Sequence, residues 1–180
     1  MLGKTCLVTG ATGGIGRVTA LELAHMSANV IIVGRNPAKC ADTVIGIREA
    51  TGNLAVEFLV ADLSSQQQIW ELARNFQKRH TRLDVLVNNA GGQFPARPSE
   101  ISDRGWRAVI DLNLNGTWNV CSRVGPHMAK LGFGAIVNIV HVYSLERGAP
   151  PFAHSGAARA GVVNLTKTLA YYYARQNVTV

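Results

Sequence analysis

A glycine-rich turn between a strand and a helix constrains this chain more than any other feature. The turn occupies residues 9–16, Thr-Gly-Ala-Thr-Gly-Gly-Ile-Gly, after a short apolar run and before a helical pattern of apolar residues. Backbone amides at a helix N-terminus favour a phosphate, and glycine lets the backbone approach it closely. The pattern therefore predicts a pyrophosphate-binding loop at the end of a first strand. The residues predicted to form it are Thr9, Gly10, Thr12, Gly13, Gly14, Ile15 and Gly16.

Strand and helix patterns alternate along the rest of the chain. This order predicts an α/β fold, a doubly wound parallel sheet of the Rossmann type with helices on both faces. Strands are predicted at residues 5–8, 29–33, 54–60, 83–87 and 135–140, with a sixth beginning at 177–180. Helices are predicted to begin after Asn36, at a capping box of Ser64 and Gln67, near Ser102 and near His154. We expect residues 1–180 to form a single domain.

Composition narrows the function classes. The formal charge of +7 comes from basic residues without a run, which disfavours nucleic acid and favours polyanionic small molecules such as NADPH or a coenzyme A thioester. No apolar segment reaches the ~18 residues of a membrane span, and the chain enters strand sequence too early for a signal peptide. Three cysteines without a C-x-x-C pair favour a reduced, cytoplasmic setting, and the scattered histidines predict no metal site.

A second motif, Asn-Asn-Ala-Gly at residues 88–91, directly follows the predicted fourth strand. Together the two motifs resemble those of the classical short-chain dehydrogenase/reductase family, and the resemblance covers essentially all 180 residues. It implies that Asn88, Asn89, Ala90 and Gly91 stabilise the sheet and border the cofactor. Asp62, followed by Leu63, matches the family's acidic contact to adenine, although an aspartate that only closes a turn is an equally good interpretation.

The end of the second strand bears on cofactor choice. NAD-specific enzymes place a carboxylate there, to bind the adenosine ribose. Residues 33–36 are Val-Gly-Arg-Asn, so no acid is present and a guanidinium is available. Arginine suits the 2′-phosphate of NADP because it presents a planar fork of donors. The sequence therefore predicts NADPH in preference to NAD, bound by Arg35 with help from Asn36; an ordinary exposed arginine is the alternative.

The catalytic pattern departs from that of the family, whose members use Asn, Ser, Tyr and Lys. Asn113 matches the family asparagine. Alignment of residues 161–167 with the family's final helix places Ser155 at the tyrosine position and Arg159 at the lysine position, and His141 falls at the usual serine. By resemblance, Asn113 and Ser155 would donate hydrogen bonds to a developing oxyanion, Arg159 would orient the nicotinamide ribose, and His141 would have an orienting or structural role.

Within the family, residues 88–94 and 154–161 resemble the peroxisomal-type trans-2-enoyl-CoA and 2,4-dienoyl-CoA reductases. Tyr143 stands five residues after Asn138, the spacing of an assisting tyrosine in the dienoyl branch, although a loop aromatic that only packs on the helix is an equally good interpretation. The resemblance implies NADPH-dependent reduction of the C=C bond of an acyl-CoA thioester. Two alternatives stay open: an alcohol or carbonyl oxidoreductase, acting for example on a terpenoid alcohol or a 3-oxoacyl substrate, and a nucleotide-binding protein without turnover.

Family members continue beyond the sixth strand through a substrate loop and a seventh strand. These segments are not among the 180 residues, so we expect either a fragment or a natural truncation, which leaves a peroxisomal location open beside the cytoplasmic one. The resemblance also implies a homodimer or homotetramer, assembled through the long helix that carries Asn113 and through the final helix.

Overall fold

A computed structural model of the chain describes residues 1–145, 147–148 and 150–180. Its centre is a six-stranded parallel sheet with the order β3-β2-β1-β4-β5-β6. The strands are β1 (Thr5–Thr9), β2 (Asn29–Gly34), β3 (Val56–Val60), β4 (Val85–Asn88), β5 (Gly134–Asn138) and β6 (Val178–Thr179). Helices pack on both faces, so the predicted fold class is confirmed.

The helices begin close to the predicted positions. They are α1 (Gly14–His25), α2 (Pro37–Thr51), α3 (Gln66–Arg79), α4 (Asp103–Ile110), α5 (Gly116–Leu131) and α6 (Ala153–Tyr173). Short 3₁₀ turns lie at Pro98–Glu100, Val142–Ser144, Pro150–Phe152 and Ala174–Gln176.

One predicted helix cap is wrong. Ser65, not Ser64, caps α3, because its side-chain oxygen accepts a hydrogen bond from the backbone N–H of Gln68. Ser64 is already engaged one residue earlier, where both its N–H and its hydroxyl donate to Asp62 Oδ1, at 2.9 and 2.7 Å. The turn that holds Asp62 therefore removes Ser64 from the helix end.

The predicted long helix contains a change of pitch. A π-helical turn, Asp111–Asn115, joins α4 to α5. The extra residue in such a turn rotates the following side chains about the axis, and these turns recur at functional sites. Asn113 sits in this turn and is buried.

Alternating side chains of the strands divide the core into two layers. Val8 and Ile32 face α1 and α2, whereas Leu7 and Ile31 face α3, α5 and α6. Each fully buried side chain of this kind contributes about 1.5–3 kcal/mol. The strand ends that carry the glycine turn and the Asn-Asn-Ala-Gly segment are thereby held side by side. In the described residues, no helix combines the length and apolar character needed to cross a membrane.

Candidate functional site

A cleft of about 690 Å³ opens at the carboxyl edge of the sheet, between the ends of β1 and β4. The strand order reverses at this point, which is where doubly wound sheets bind their ligands. Eight of the predicted cofactor residues line the cleft: Gly10, Thr12, Gly13, Arg35, Asp62, Leu63, Ala90 and Gly91. This volume lies in the range of clefts that bind small molecules and cofactors.

The glycine turn adopts a shape that side chains would obstruct. Gly10 and Gly14 have φ of +63° and +52°, the left-handed region that favours glycine. A Cβ on Gly10 would lie 2.8 Å from the Cα of Ala90, so this glycine allows the two motifs to touch. A Cβ on Gly13 would meet no atom within 4 Å, because that residue faces the open cleft. The turn therefore presents bare backbone to the space where a pyrophosphate would bind.

Two of the predicted cofactor residues join the motifs rather than line the cleft. The Thr9 hydroxyl accepts hydrogen bonds from the backbone N–H groups of Asn89 and Ala90, both at 3.0 Å. In return, Asn89 Nδ2 donates to the carbonyl oxygens of Thr9 and Gly10. Gly16 packs beneath this junction, where a Cβ would lie 2.6 Å from the Gly10 oxygen. These contacts fix the position of the cleft wall.

Two further predicted residues stand outside the cleft lining. The Asn36 side chain caps α2 by accepting from the N–H of Lys39 at 3.0 Å, so its oxygen is already occupied. Ile15 is 64% exposed on the first turn of α1. Neither position contradicts cofactor binding, but the structure assigns Asn36 a local role that its sequence position also predicts.

Arg35 and Asp62 stand together at the end of the cleft bordered by β2 and β3. Hydrogen bonds from Ser64 lower the pKa of Asp62, and the charge of Arg35 adds to the effect. Asp62 thus closes a turn and also borders the cleft, and its contact with adenine stays a prediction. Arg35 is exposed, and its guanidinium is available to an anion.

At the other end of the cleft, Asn113 and Arg159 hold the Asn-Asn-Ala-Gly segment. Asn113 Nδ2 donates to the oxygens of Gly92 and Val109, both at 2.8 Å. Arg159 Nη2 donates to the Ala90 oxygen at 3.1 Å, and burial lowers the pKa of this guanidinium. Its Nη1 is buried without a hydrogen-bond partner among the described residues. Any side chain on Gly91 would overlap Arg159 Nη2.

Ser155 lies one turn before Arg159 on α6 and is 2% exposed. Its hydroxyl lies 3.1 Å from His141 Nε2, and His141 Nδ1 lies 3.3 Å from the hydroxyl of Ser144. Burial lowers the pKa of His141, and the charge of Arg159 lowers it further. The structure thus brings four of the five predicted catalytic residues to this end of the site. The side chain of Tyr143 lies outside the described part, as do residues 146 and 149, so its role stays a prediction.

Sequence reasoning missed residues that support this site. His154 is fully buried, accepts from the N–H of Ser155 at Nδ1, and packs edge-on against Phe94 with ring centroids 4.5 Å apart. Phe94, Leu112 and Val109 line the cleft. Phe94 belongs to a segment already singled out, but no spacing in the sequence indicates the Ser144 or His154 contacts. Among the described residues, no group of three His, Cys, Asp or Glu could hold a metal ion.

Comparison with known proteins agrees with this geometry. A family model described as short chain dehydrogenase matches residues 4–180. The chain is 37% identical over 179 residues to the 3-oxoacyl-[acyl-carrier-protein] reductase FabG of Thermotoga maritima, covering 99% of this chain and 71% of that protein. It is 33% identical over 168 residues to a probable 2,4-dienoyl-CoA reductase of Bacillus subtilis, covering 93% of this chain and 65% of the relative.

Solved structures give the same result. The citronellol catabolism dehydrogenase AtuB of Pseudomonas aeruginosa PAO1 is 36% identical and superimposes with a TM-score of 0.92, covering 100% of this chain and 72% of that one. The fold, the two sequence motifs and the similar proteins all indicate the same family over nearly the whole chain. It therefore belongs to the short-chain dehydrogenase/reductase family.

Proposed function

We propose that this protein is an NADP(H)-dependent oxidoreductase that interconverts a carbonyl and an alcohol on an acyl thioester of the 3-oxoacyl type. The observation that carries the proposal is the cleft, in which the open glycine turn, Arg35 and the Ala90–Gly91 wall meet. A bound nicotinamide would supply or accept the hydride. The chain's own residues would hold the pyrophosphate at the glycine turn, the 2′-phosphate at Arg35 and the ribose beside Arg159.

Cofactor selectivity is tested at Arg35. We expect tighter binding of NADPH than of NADH, because the guanidinium can form charge-assisted hydrogen bonds to the 2′-phosphate. Arg35→Ala should weaken NADPH binding about 10–100-fold, the equivalent of roughly 1.5–3 kcal/mol for hydrogen bonds to a charged group, and leave NADH binding nearly unchanged. Fluorescence titration measures both affinities. Arg74→Ala, an exposed change on α3, is the control; equal loss for both cofactors would contradict the proposal.

The substrate class is favoured by the relatives. Several proteins of similar length coverage are named 3-oxoacyl-[acyl-carrier-protein] reductases, from Thermotoga maritima, Chlamydia trachomatis and Synechocystis. Their names support carbonyl reduction more than the enoyl branch that the sequence first suggests. Acetoacetyl-CoA should therefore be reduced faster than crotonyl-CoA when NADPH consumption is followed. A faster rate with crotonyl-CoA would overturn this choice.

Reduction of a conjugated C=C bond is the second candidate. By alignment, Ser155 stands where most of the family has tyrosine, and the resemblance to enoyl-CoA reductases implies a serine at this position. One relative is named a 2,4-dienoyl-CoA reductase. Conjugate reduction needs donors at the thioester oxygen, where negative charge develops.

Binding of NADPH with no turnover of either thioester or of an alcohol such as citronellol would instead favour a nucleotide-binding protein without turnover.

We further infer that residues 1–180 act as a single domain and that copies associate through α5 and α6. The support for the domain is that both core layers pack on one sheet. The support for association is the family resemblance, together with the exposure of large aromatic side chains on these helices.

A further inference from the structure

We propose that Ser155 and His141 form a two-residue proton relay, in which Ser155 Oγ exchanges a proton with the substrate oxygen and His141 Nε2 exchanges a proton with Ser155. This inference rests on the proposed oxidoreductase function. It gives the site a route for the proton that does not need the family's tyrosine and lysine, whose positions on α6 are taken by Ser155 and Arg159 in this chain.

The contacts support such a route. Ser155 Oγ and His141 Nε2 are 3.1 Å apart, within the reach of a direct proton transfer. On the far side of the ring, Nδ1 lies 3.3 Å from Ser144 Oγ. The tautomer that carries hydrogen on Nδ1 can donate to Ser144, and in that tautomer Nε2 is an acceptor towards Ser155. The arrangement is that of a hydroxyl activated by a base whose other nitrogen is oriented by a third group.

Helix α6 places Ser155 next to the cleft. Arg159, one helical turn after Ser155, donates to the oxygen of Ala90, and Ala90 lines the cleft. His154, the residue before Ser155, packs against Phe94, which also lines it. Ser155 is therefore bracketed by two residues in direct contact with the cleft wall.

Among the described side chains around Ser155, His141 is the group that can take up and release a proton. Arg159 keeps its charge at working pH and cannot exchange a proton. A serine hydroxyl alone is too weak an acid or base to serve without a partner. His154 is bound through Nδ1 to the N–H of Ser155, so it holds the backbone rather than the hydroxyl. Burial and the charge of Arg159 both favour neutral His141, the form that accepts a proton.

In the direction of alcohol oxidation, the substrate loses one proton and one hydride. The substrate O–H proton moves to Ser155 Oγ while the Ser155 proton moves to His141 Nε2, and the imidazolium then releases one proton to solvent. The C–H pair leaves carbon as a hydride to the oxidised nicotinamide, and a C=O bond forms. Carbonyl reduction is the reverse, with one proton taken up from solvent.

Kinetics of the full chain test the relay, with NADP and 3-hydroxybutyryl-CoA as substrates. Ser155→Ala and His141→Gln should each lower kcat about 100-fold or more, the range of general acid–base catalysis. KM and the Kd for NADPH should stay within about threefold of the original values. Glutamine can keep a hydrogen bond to Ser155 but cannot gain a proton, so a merely positioning role would leave His141→Gln active. A kcat within about threefold of the unmodified protein in either variant would overturn the relay.

Rescue by added imidazole and a double variant test the relay further. Added imidazole should restore part of the activity of His141→Ala but none of that of Ser155→Ala. The double variant Ser155→Ala/His141→Ala should be no slower than either single variant, because residues that act as a unit are not additive. Ser122→Ala, which removes a hydroxyl bonded to Asn119 on α5, is the matched control and should keep full activity.

A measurement without substrate separates this inference from the proposed function. In the ligand-free protein, ¹⁵N NMR of labelled histidine should show neutral His141 with hydrogen on Nδ1, and Ser155→Ala should shift the Nε2 resonance. Hydrogen on Nε2, or no shift in Ser155→Ala, would overturn the relay even if the enzyme turns over. Lack of turnover by the unmodified protein, with the expected NMR result, would instead overturn the proposed function.

Discussion

His141 links the chemistry of the site to the stability of the fold. Its pKa lies below its ordinary value of 6.5, mainly because of burial, so the folded protein holds this ring neutral where the unfolded chain begins to take up a proton. Between the lowered pKa and about pH 6.5 the unfolded state binds more protons, and the free energy of unfolding therefore falls as pH falls. Stability conferred by neutral His141 is complete above about pH 7 and is lost on acidification.

His141→Gln should remove this dependence. We expect the loss of unfolding free energy between about pH 7 and 5 to be smaller in His141→Gln than in the unmodified protein, since glutamine has no charge to gain. Urea unfolding at several pH values measures the slope. His127→Gln on α5 is the control, and an unchanged slope in His141→Gln would show that His141 does not contribute.

Individual site residues could be predicted from the sequence when they belong to a motif with fixed spacing. Gly10, Gly13 and Arg35 line the cleft, as the glycine-rich turn and the end of the second strand predict. The partners of His141 could not be predicted, because the distances that join it to Ser155 and Ser144 depend on how the chain after β5 packs on α6.

At the level of elements, Asp84 joins the beginnings of two strands. It interrupts an otherwise apolar run just before β4, and its carboxylate accepts from the N–H of Thr5 at 2.9 Å and from Lys4 and Arg82. Burial raises the pKa of Asp84, but the hydrogen bonds from Arg82, Thr5 and Lys4 outweigh this effect, and the pKa lies below its ordinary value.

Asp84→Ala should destabilise the protein by about 1–3 kcal/mol, because it leaves the buried N–H of Thr5 without its acceptor. The half-exposed side chains of Lys4 and Arg82 add little to this figure. A lowered carboxyl pKa contributes stability above about pH 3.8 that disappears as pH falls through the folded value, so the difference between the two proteins should shrink in acid. Urea unfolding measures both effects, with Asp103→Ala, a change in the first turn of α4, as control; a loss as small as that of the control would contradict the prediction.

The spacing of apolar residues predicted which segments are helices and which are strands, but it did not predict two details of the helices. The cap of α3 shifted by one residue because two adjacent serines compete and Asp62 binds the first. The π-helical turn at Asp111–Asn115 was invisible, because one extra residue barely alters a helical pattern of apolar positions. This turn carries Asn113, so the missed detail lies in the site itself.

Over the whole molecule, helices cover the two faces of the sheet unequally. The alternation of strands and helices along the sequence predicted a doubly wound sheet. It could not predict this unequal coverage, because it gives the order of the elements and not the area of sheet that each helix covers. α1 and α2 cover the side of β1, β2 and β3 that carries Val8 and Ile32. On the same side of β5, Val137 lies beside Val87 but is 45% exposed. An apolar side chain in the middle of a parallel strand is normally buried.

Association of copies can therefore involve either of two surfaces. Trp118 on α5 is 47% exposed and Tyr171 on α6 is 89% exposed, and these helices are the ones through which the resemblance implies assembly. We expect the unmodified protein to form a dimer or tetramer in sedimentation analysis. Trp118→Arg should shift it towards monomer, because a charge in an apolar interface must be desolvated without a partner. Val137→Lys, the matched change on the open side of β5, should leave the assembly intact. The opposite result, dissociation by Val137→Lys alone, would place the contact on the sheet and contradict assembly through the helices.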